Sequence, residues 1–184
     1  IELLNKAAEQ NHESAIVALG NIYMNGLYTQ KDCRRGIEWF NRAIQQNMAL
    51  GYAYLGIEYL AGTCIEPDYD KAMELFQKAD EMKDSRALGM IANTYFHGYR
   101  IEKNESEAFK WAIKAAELGD PYSQFLVGVF YQNGLGNVSK DNQKALYWYQ
   151  KLLGHEEEYL GKSSFKLSAR NEINTIKQEM GVRH

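Results

Sequence analysis

Apolar positions recur along this chain at helical spacing, and the whole arrangement returns every thirty-six residues. Tyr23, Tyr59, Tyr95 and Tyr131 each follow a small residue three positions upstream (Gly20, Gly56, Ala92 and Gly128), itself preceded by Leu19, Leu55, Ile91 or Val127. Eight positions before each tyrosine stand Ala15, Gly51, Ala87 and Ser123. Offsets of four, one and three share one face of an α-helix, where the bulky residues fill a core and the small ones let a second helix approach. Each unit is therefore expected to hold a helix A. Gly26, Gly62, Gly98 and Gly134 should end it in the left-handed conformation, which costs glycine no steric strain.

A loop then leads to Asp32, Asp68, Asn104 and Asp141, side chains able to cap the free N–H groups of a following helix B. Helix B carries its own stripe: Ile37, Phe40 and Ile44; Ala72, Phe76 and Ala79; Ala108, Trp111 and Ala115; Ala145, Trp148 and Leu152. It should stop near Asn47, Lys83 and Gly119, and Gly119-Asp120-Pro121 reads as a left-handed stop, a cap and a first-turn proline. The fourth unit has one extra residue in its loop. The opening IELLNKAAEQNH matches IEWFNRAIQQNM from Ile37, so the chain begins in a helix B without its helix A, and the natural chain is expected to extend upstream.

No single pair can bury its stripe alone, so the pairs are expected to stack as an all-α, right-handed α/α superhelix of antiparallel helix pairs. The expected divisions are a half repeat over 1–12, repeats over 13–47, 48–83, 84–119 and 120–153, a connector over 154–162, and a capping helix with tail over 163–184. In that last helix Phe165, Ala169, Ile173, Ile176 and Met180 form one narrow stripe, with Lys166, Arg170, Lys177 and Glu179 around it as the polar face that an exposed end needs.

Composition narrows the picture. With 45% hydrophobic and 24% charged residues the chain is an ordinary globular sequence, and its apolar runs are too short for a membrane span or a signal peptide. The compartment stays open between bacterial periplasm and cytoplasm. A formal charge of -3, with basic residues concentrated only at Lys31, Arg34, Arg35 and Arg42, disfavours nucleic acid as a partner. Cys33 and Cys64 form no C-x-x-C pair; free thiols are expected, a bridge remaining open if their Cα atoms come within about 7 Å.

The pattern A-x3-LG-x2-Y-x2-G, followed by a loop to D-x2-KA-x2-WY-x-KA, resembles the Sel-one-like repeat family, a relative of the tetratricopeptide repeat with a longer loop. Stretches that carry it include AIVALGNIYMNG, GYAYLGIEYLAG, DYDKAMELFQKA, SEAFKWAIKAAELGDP and SQFLVGVFYQNGLG, over residues 1 to about 153. The resemblance implies a protein-binding adaptor in signalling, secretion, envelope assembly or host interaction, or an immunity protein that neutralises a secreted toxin. A cysteine-rich branch of the family is associated with penicillin binding, and this chain lacks its paired cysteines.

By the same resemblance, side chains just off the helix A stripe face a concave surface. Those are Val17, Asn21, Met24 and Asn25; Leu50, Ala53, Ile57 and Leu60; Arg86, Asn93, Phe96 and His97; Tyr122, Phe125, Val129, Gln132 and Asn133. Aromatics, aliphatics and amides in one strip suit a protein or peptide groove, with Phe96, Phe125, Met24 and Tyr122 as anchors and Asn21, Asn93, Asn133 and Arg86 setting register. The competing account packs Leu50, Ile57, Leu60 and Val129 against the next helix. Asn21, Asn93 and Arg86 offer a sparse carboxylate clamp.

The rival to a binding module is an enzyme of the penicillin-recognising type, since Ser163-Ser164-Phe165-Lys166 spells S-x-x-K, although no S-D-N or K-T-G follows and helix-start chemistry explains it as well. A purely architectural segment of a longer array is the third reading. His12, His97, His155 and His184 are scattered, His155-Glu156-Glu157-Glu158 reads as a solvated charge run, and GLGNVSK at 134–140 is an inter-helix loop. Asn104-Glu105-Ser106 and Asn137-Val138-Ser139 are glycosylation triplets that matter only in a eukaryotic secretory setting. No metal, cofactor or catalytic residue is assigned, and the oligomeric state stays open, a monomer being compatible.

Overall fold

The structure, a computed structural model, describes residues 1–154 and 164–181. Among these residues it holds ten helices and no strand. They are α1 (Glu2–Glu9), α2 (Glu13–Asn25), α3 (Cys33–Gln45), α4 (Ala49–Ala61), α5 (Tyr69–Glu81), α6 (Ser85–His97), α7 (Glu105–Glu117), α8 (Pro121–Asn133), α9 (Asn142–Leu153) and α10 (Ser164–Glu179). Helix A of the four repeats is α2, α4, α6 and α8, and helix B is α3, α5, α7 and α9, with α1 a helix B as the opening sequence implies. The chain divides into two compact units, Ile1–Ile91 and Ala92–His184.

The ends of the helices follow from their punctuation. Gly26, Gly62, Gly98 and Gly134 all take left-handed φ between 60° and 69° just past helix A. The loop that follows is anchored back: the N–H groups of Asp32, Asp68, Asn104 and Asp141 donate to the carbonyls of Tyr23, Tyr59, Tyr95 and Tyr131 at 2.7–3.0 Å. Each of these cap side chains then accepts from a first-turn N–H, those of Arg35, Lys71, Glu107 and, for Asp141, both Gln143 and Lys144. One residue thus closes the loop with its backbone and opens helix B with its side chain. At the other end Asn47, Lys83 and Gly119 are left-handed, and Asp120 caps α8 through the N–H of Ser123 with Pro121 in the first turn.

Within each repeat the close approach is set by one small residue. A Cβ on Gly20 would run into the Phe40 ring, one on Gly56 into Phe76, and one on Gly128 into Tyr149, and all three rings are fully buried. The third repeat has alanine at the glycine position, Ala92, and at the ring position it has Ala112. Both alanines are completely buried. Size removed from one helix is restored on the other, so interior density is kept.

In the second unit α10 packs on α9 and touches α8, the relation that α4 has to α3 and α2 in the first unit. Its Ala169, Ile173 and Ile176 are buried, in register with Ala15, Leu19 and Ile22 of α2. The capping helix is therefore built as a further helix A, with exposed Asn174 at the position of Gly20. Two expectations for it change. Lys166, placed on the polar face, is buried, and Met180 lies past the end of α10 and is exposed. The connector at 154–162 beyond Gly154, with Ser163, lies outside the described residues, as do His155 through Glu158 and His184.

The expectation of free thiols is also corrected, because Cys33 and Cys64 form a disulfide with Cα atoms 5.5 Å apart. The bridge ties the first residue of α3 to the loop after α4, closing 31 residues of chain. Nearby in sequence, Asp84 caps α6 through the N–H groups of Arg86 and Ala87, and Arg86 Nη2 reaches Asp84 Oδ2 at 2.7 Å and Glu13 Oε2 at 2.6 Å. Burial by itself would raise the Asp84 carboxyl, but the guanidinium and the backbone donors outweigh it and hold the group below its ordinary value of 3.8.

Four outcomes are expected. Gly20→Ala should destabilise, since overpacking against Phe40 costs about 1–3 kcal/mol, the larger effect beside the roughly 1 kcal/mol that alanine gains over glycine in a helix. The double variant Gly20→Ala with Phe40→Ala, which copies the Ala92 and Ala112 pairing, should lose less than the sum of the single losses; additive losses in urea denaturation would contradict the pairing. Removing the bridge by Cys33→Ser should cost about 2–4 kcal/mol, and a reductant should lower the melting temperature of the unaltered chain but not that of the variant. Because the folded-state pKa of Asp84 is depressed, its contribution is complete above the unfolded value and is lost as pH falls through the folded one. Arg86→Gln should accordingly lower the melting temperature more at neutral pH than in acid, and equal losses at both would refute the linkage.

Candidate functional site

In the first unit, most of the strip expected to line a groove is interior. Val17, Met24 and Ile57 are 6%, 1% and 6% exposed, and Leu50 and Ala53 are buried with them. Met24 belongs to the core around Phe40, Leu55 and Leu75, packed against Gly36. These side chains hold helices together, which is the packing account for Leu50 and Ile57 and a correction for Met24 as an anchor. Leu60 is half-buried.

The amides of this unit are turned onto their own helix. Asn21 Nδ2 donates to the Val17 carbonyl at 3.2 Å, and Asn25 Nδ2 to the Asn21 carbonyl at 2.9 Å. Asn21 also bonds the phenol of Tyr54, which burial pushes up and this bond pulls down. Arg86 is engaged by Glu13 and Asp84, whose hydrogen bonds hold its guanidinium firmly charged. Its charge is met by two carboxylates of the same chain, so the carboxylate clamp lacks its cation.

The second unit is different. Phe96 is half-buried, its ring edge-on to Phe130 at 5.5 Å and to His97 at 5.0 Å, with the Lys103 ammonium 5.4 Å over its centre. His97 is exposed, stacks on Tyr99 with ring centres 5.1 Å apart, and has Nε2 3.0 Å from the Tyr122 hydroxyl. Burial, then the neighbouring Tyr99 and Asp120, push the Tyr122 phenol up to about 12, so it keeps its proton at neutral pH. Asn93 is half-buried beside this group in sequence, and Tyr99 is 56% exposed.

Below these rings, α10 closes on α8. Tyr122 and Phe125 pack on Phe165 at 5.2 and 6.0 Å, Phe125 also packs on Tyr149 at 5.7 Å, and Val129 joins the same core. Gln132 accepts from the Tyr149 hydroxyl at 2.7 Å and donates to Glu172 at 2.8 Å, and burial followed by Glu172 raises that tyrosine. Phe125, Val129 and Gln132 thus hold the capping helix rather than stand open, because the expected groove position is where α10 packs. Asn133 is exposed and bonds the Val129 carbonyl at 2.9 Å.

Among the described residues, Asn93, Phe96, His97 and Tyr99 form an accessible platform backed by Tyr122. Tyr99 follows Gly98, outside the helix, where helical periodicity carries no information, and an aromatic directly after a left-handed glycine is the available signal. Such a platform can present ring faces, an imidazole and an amide to a ligand. For the enzyme reading, Lys166 is buried on α10 and Ser163 lies outside the described residues. Among the described residues no group of three or more His, Cys, Asp or Glu could hold a metal ion, and no helix is long and apolar enough to cross a membrane.

Comparison with known proteins puts this architecture in context. The Sel1 repeat model matches residues 1–12, 14–48, 49–83, 85–120 and 121–152. A Sel1 repeat protein from Oxalobacter formigenes is 28% identical with a TM-score of 0.57, the match covering 97% of this chain and 76% of that one. A protective antigen of uropathogenic Escherichia coli strains, displaying an SLR fold, is 27% identical with a TM-score of 0.56, covering 98% of this chain and 42% of that one. This chain therefore spans less than half of that antigen. An immunity protein from Pseudomonas aeruginosa shares the fold at 18% identity and a TM-score of 0.52, over 99% of this chain and 75% of that one. Comparison with curated proteins returns no significant match. Four repeats that agree in spacing, caps and buried pairs, together with a family model matched along nearly all of the repeat region, establish that the chain belongs to the Sel1 repeat family.

Proposed function

We propose that this chain is a non-enzymatic interaction module that docks a partner protein or peptide on the platform of Asn93, Phe96, His97 and Tyr99, acting as an adaptor, regulator or toxin-neutralising protein. Sel1 repeat proteins are in general protein-interaction modules. The observation that carries the reading is the platform itself: exposed His97 and Tyr99 stacked on one another and backed by the Tyr122 hydroxyl. Aromatic residues held in place before binding lose little rotamer freedom on docking, which is how a small patch acquires affinity. Asn93, one turn before Phe96 and His97 on α6, adds an amide suited to a peptide backbone. An immunity protein of Pseudomonas aeruginosa has the same fold, which supports a toxin-neutralising role at the level of fold alone. The Cys33–Cys64 bridge is the state that an oxidising compartment maintains, which favours a partner met outside a reducing cytosol.

The test compares His97→Ala with Tyr99→Ala against the unaltered chain, using the protein that co-purifies with the latter. Loss of both rings should weaken the complex at least about tenfold, roughly 1.4 kcal/mol or more, with the melting temperature unchanged because both side chains are exposed. Phe125→Ala should instead lower the melting temperature, since its ring lies against Tyr149 and Phe165. Undiminished affinity in the double variant would overturn the proposal.

A further inference from the structure

The first unit carries a second feature unrelated to that platform, a cavity of about 370 Å³ lined by Tyr23, Arg35, Glu38, Trp39 and Arg42. We infer that it is a binding site for an acidic segment of a partner protein, taking two carboxylates on Arg35 and Arg42. This goes beyond the reading above and stands or falls separately from it.

Both guanidiniums are arranged before any ligand arrives. Arg35 lies 5.5 Å over the Tyr23 ring with Nε 3.4 Å from Asp32 Oδ2. Arg42 lies 5.2 Å over Trp39, and its Nη2 donates to the Ala8 carbonyl at 2.7 Å and to Asn11 Oδ1 at 3.2 Å. These contacts use one nitrogen of each fork. Arg35 keeps both Nη groups for a planar, two-oxygen acceptor, and Arg42 keeps Nε and Nη1 as single donors to a carboxylate oxygen.

The arginine pair belongs to the first repeat alone. At the position of Arg35 the later repeats have Lys71, Glu107 and Lys144, and at that of Arg42 they have Lys78, Lys114 and Lys151. Lysine also rests on rings in those repeats, as Lys114 does on Trp111 at 4.9 Å and Lys151 on Trp148 at 4.7 Å. An ammonium over a ring serves packing; two forked cations facing one cavity add recognition. Lys31 and Arg34 extend the positive charge of this helix in a chain whose formal charge is -3.

Spacing and sign narrow the ligand. Arg35 and Arg42 are seven residues apart on α3, about 10.5 Å at a rise of roughly 1.5 Å per residue, close to the roughly 9 Å that a polyproline II segment covers in three residues with side chains i and i+3 on one face. Glu38 sits between them and leans to Arg34, with Nε 3.9 Å from its Oε1. A carboxylate at the midpoint repels a continuous polyanion but tolerates two separated acids. The fitting partner is therefore a protein segment with acidic residues three apart.

The probe is a capped tetrapeptide, glutamate-alanine-alanine-glutamate, beside its glutamine counterpart and inorganic phosphate, followed through the indole N–H of Trp39 and the Arg35 and Arg42 Nε–H signals by NMR. The glutamate peptide should shift these signals saturably, Arg35→Gln should weaken it about tenfold, and Glu38→Gln should tighten it severalfold, with melting temperatures unchanged. Arg35 is exposed, so its replacement leaves the core intact. Equal shifts with the glutamine peptide, undiminished binding in Arg35→Gln, or phosphate binding the same signals as tightly as the glutamate peptide would each overturn the inference.

Discussion

The contact between a small residue on helix A and a ring on helix B governs the distance at which the two helices of a repeat pack. Gly20 with Phe40, Gly56 with Phe76 and Gly128 with Tyr149 leave no room for a Cβ. The fully buried alanines Ala92 and Ala112 meet the same demand in the third repeat with volume moved between helices. A core packed to crystal-like density answers to total volume at a contact, not to the identity of either partner. The thirty-six-residue period then follows from what connects the pairs. A left-handed glycine turns the chain, a loop returns to the tyrosine carbonyl, and an acid or amide cap starts the next helix.

That same close packing determines which side chains are left for recognition. Helices drawn together by small residues bury what lies beside the stripe, and Val17, Met24 and Ile57 are consumed in this way. In the second unit α10 behaves as one more helix A and takes the rings of Tyr122 and Phe125 onto Phe165. The exposed rings of His97 and Tyr99 lie at and just past the end of α6, where no helix among the described residues covers them.

Helix B shows how the outer surface handles its aromatics. Tyr23 and Tyr131 lie under Arg35 and Lys144, and Trp39, Trp111 and Trp148 under Arg42, Lys114 and Lys151. The cations over the tryptophans sit one turn along the same helix and those over the tyrosines on the following helix, and each covers a ring face while keeping its charge in water, which limits exposed apolar area. Where both cations are arginine, the arrangement gains directional donors as well as cover.

Sequence alone determined the helices, their ends and the repeat, because these depend on local chemistry. Periodic Leu and Tyr, glycines able to turn left-handed, and caps within three residues of the N–H groups they bind are all readable from neighbours in the chain. Tertiary structure decided the rest. Whether Cys33 meets Cys64 depends on how successive pairs bring two loops together, and the 5.5 Å between their Cα atoms is visible in no local pattern. The sequence offers Arg86 as the cation of a groove clamp, yet Glu13, seventy-three residues earlier, claims it. Phe125 and Phe96 look alike in sequence, but one lies under the capping helix and the other borders the open platform. Burial of a side chain belongs to whatever packs against it, and that partner is set by the fold rather than by the residues nearby in the chain.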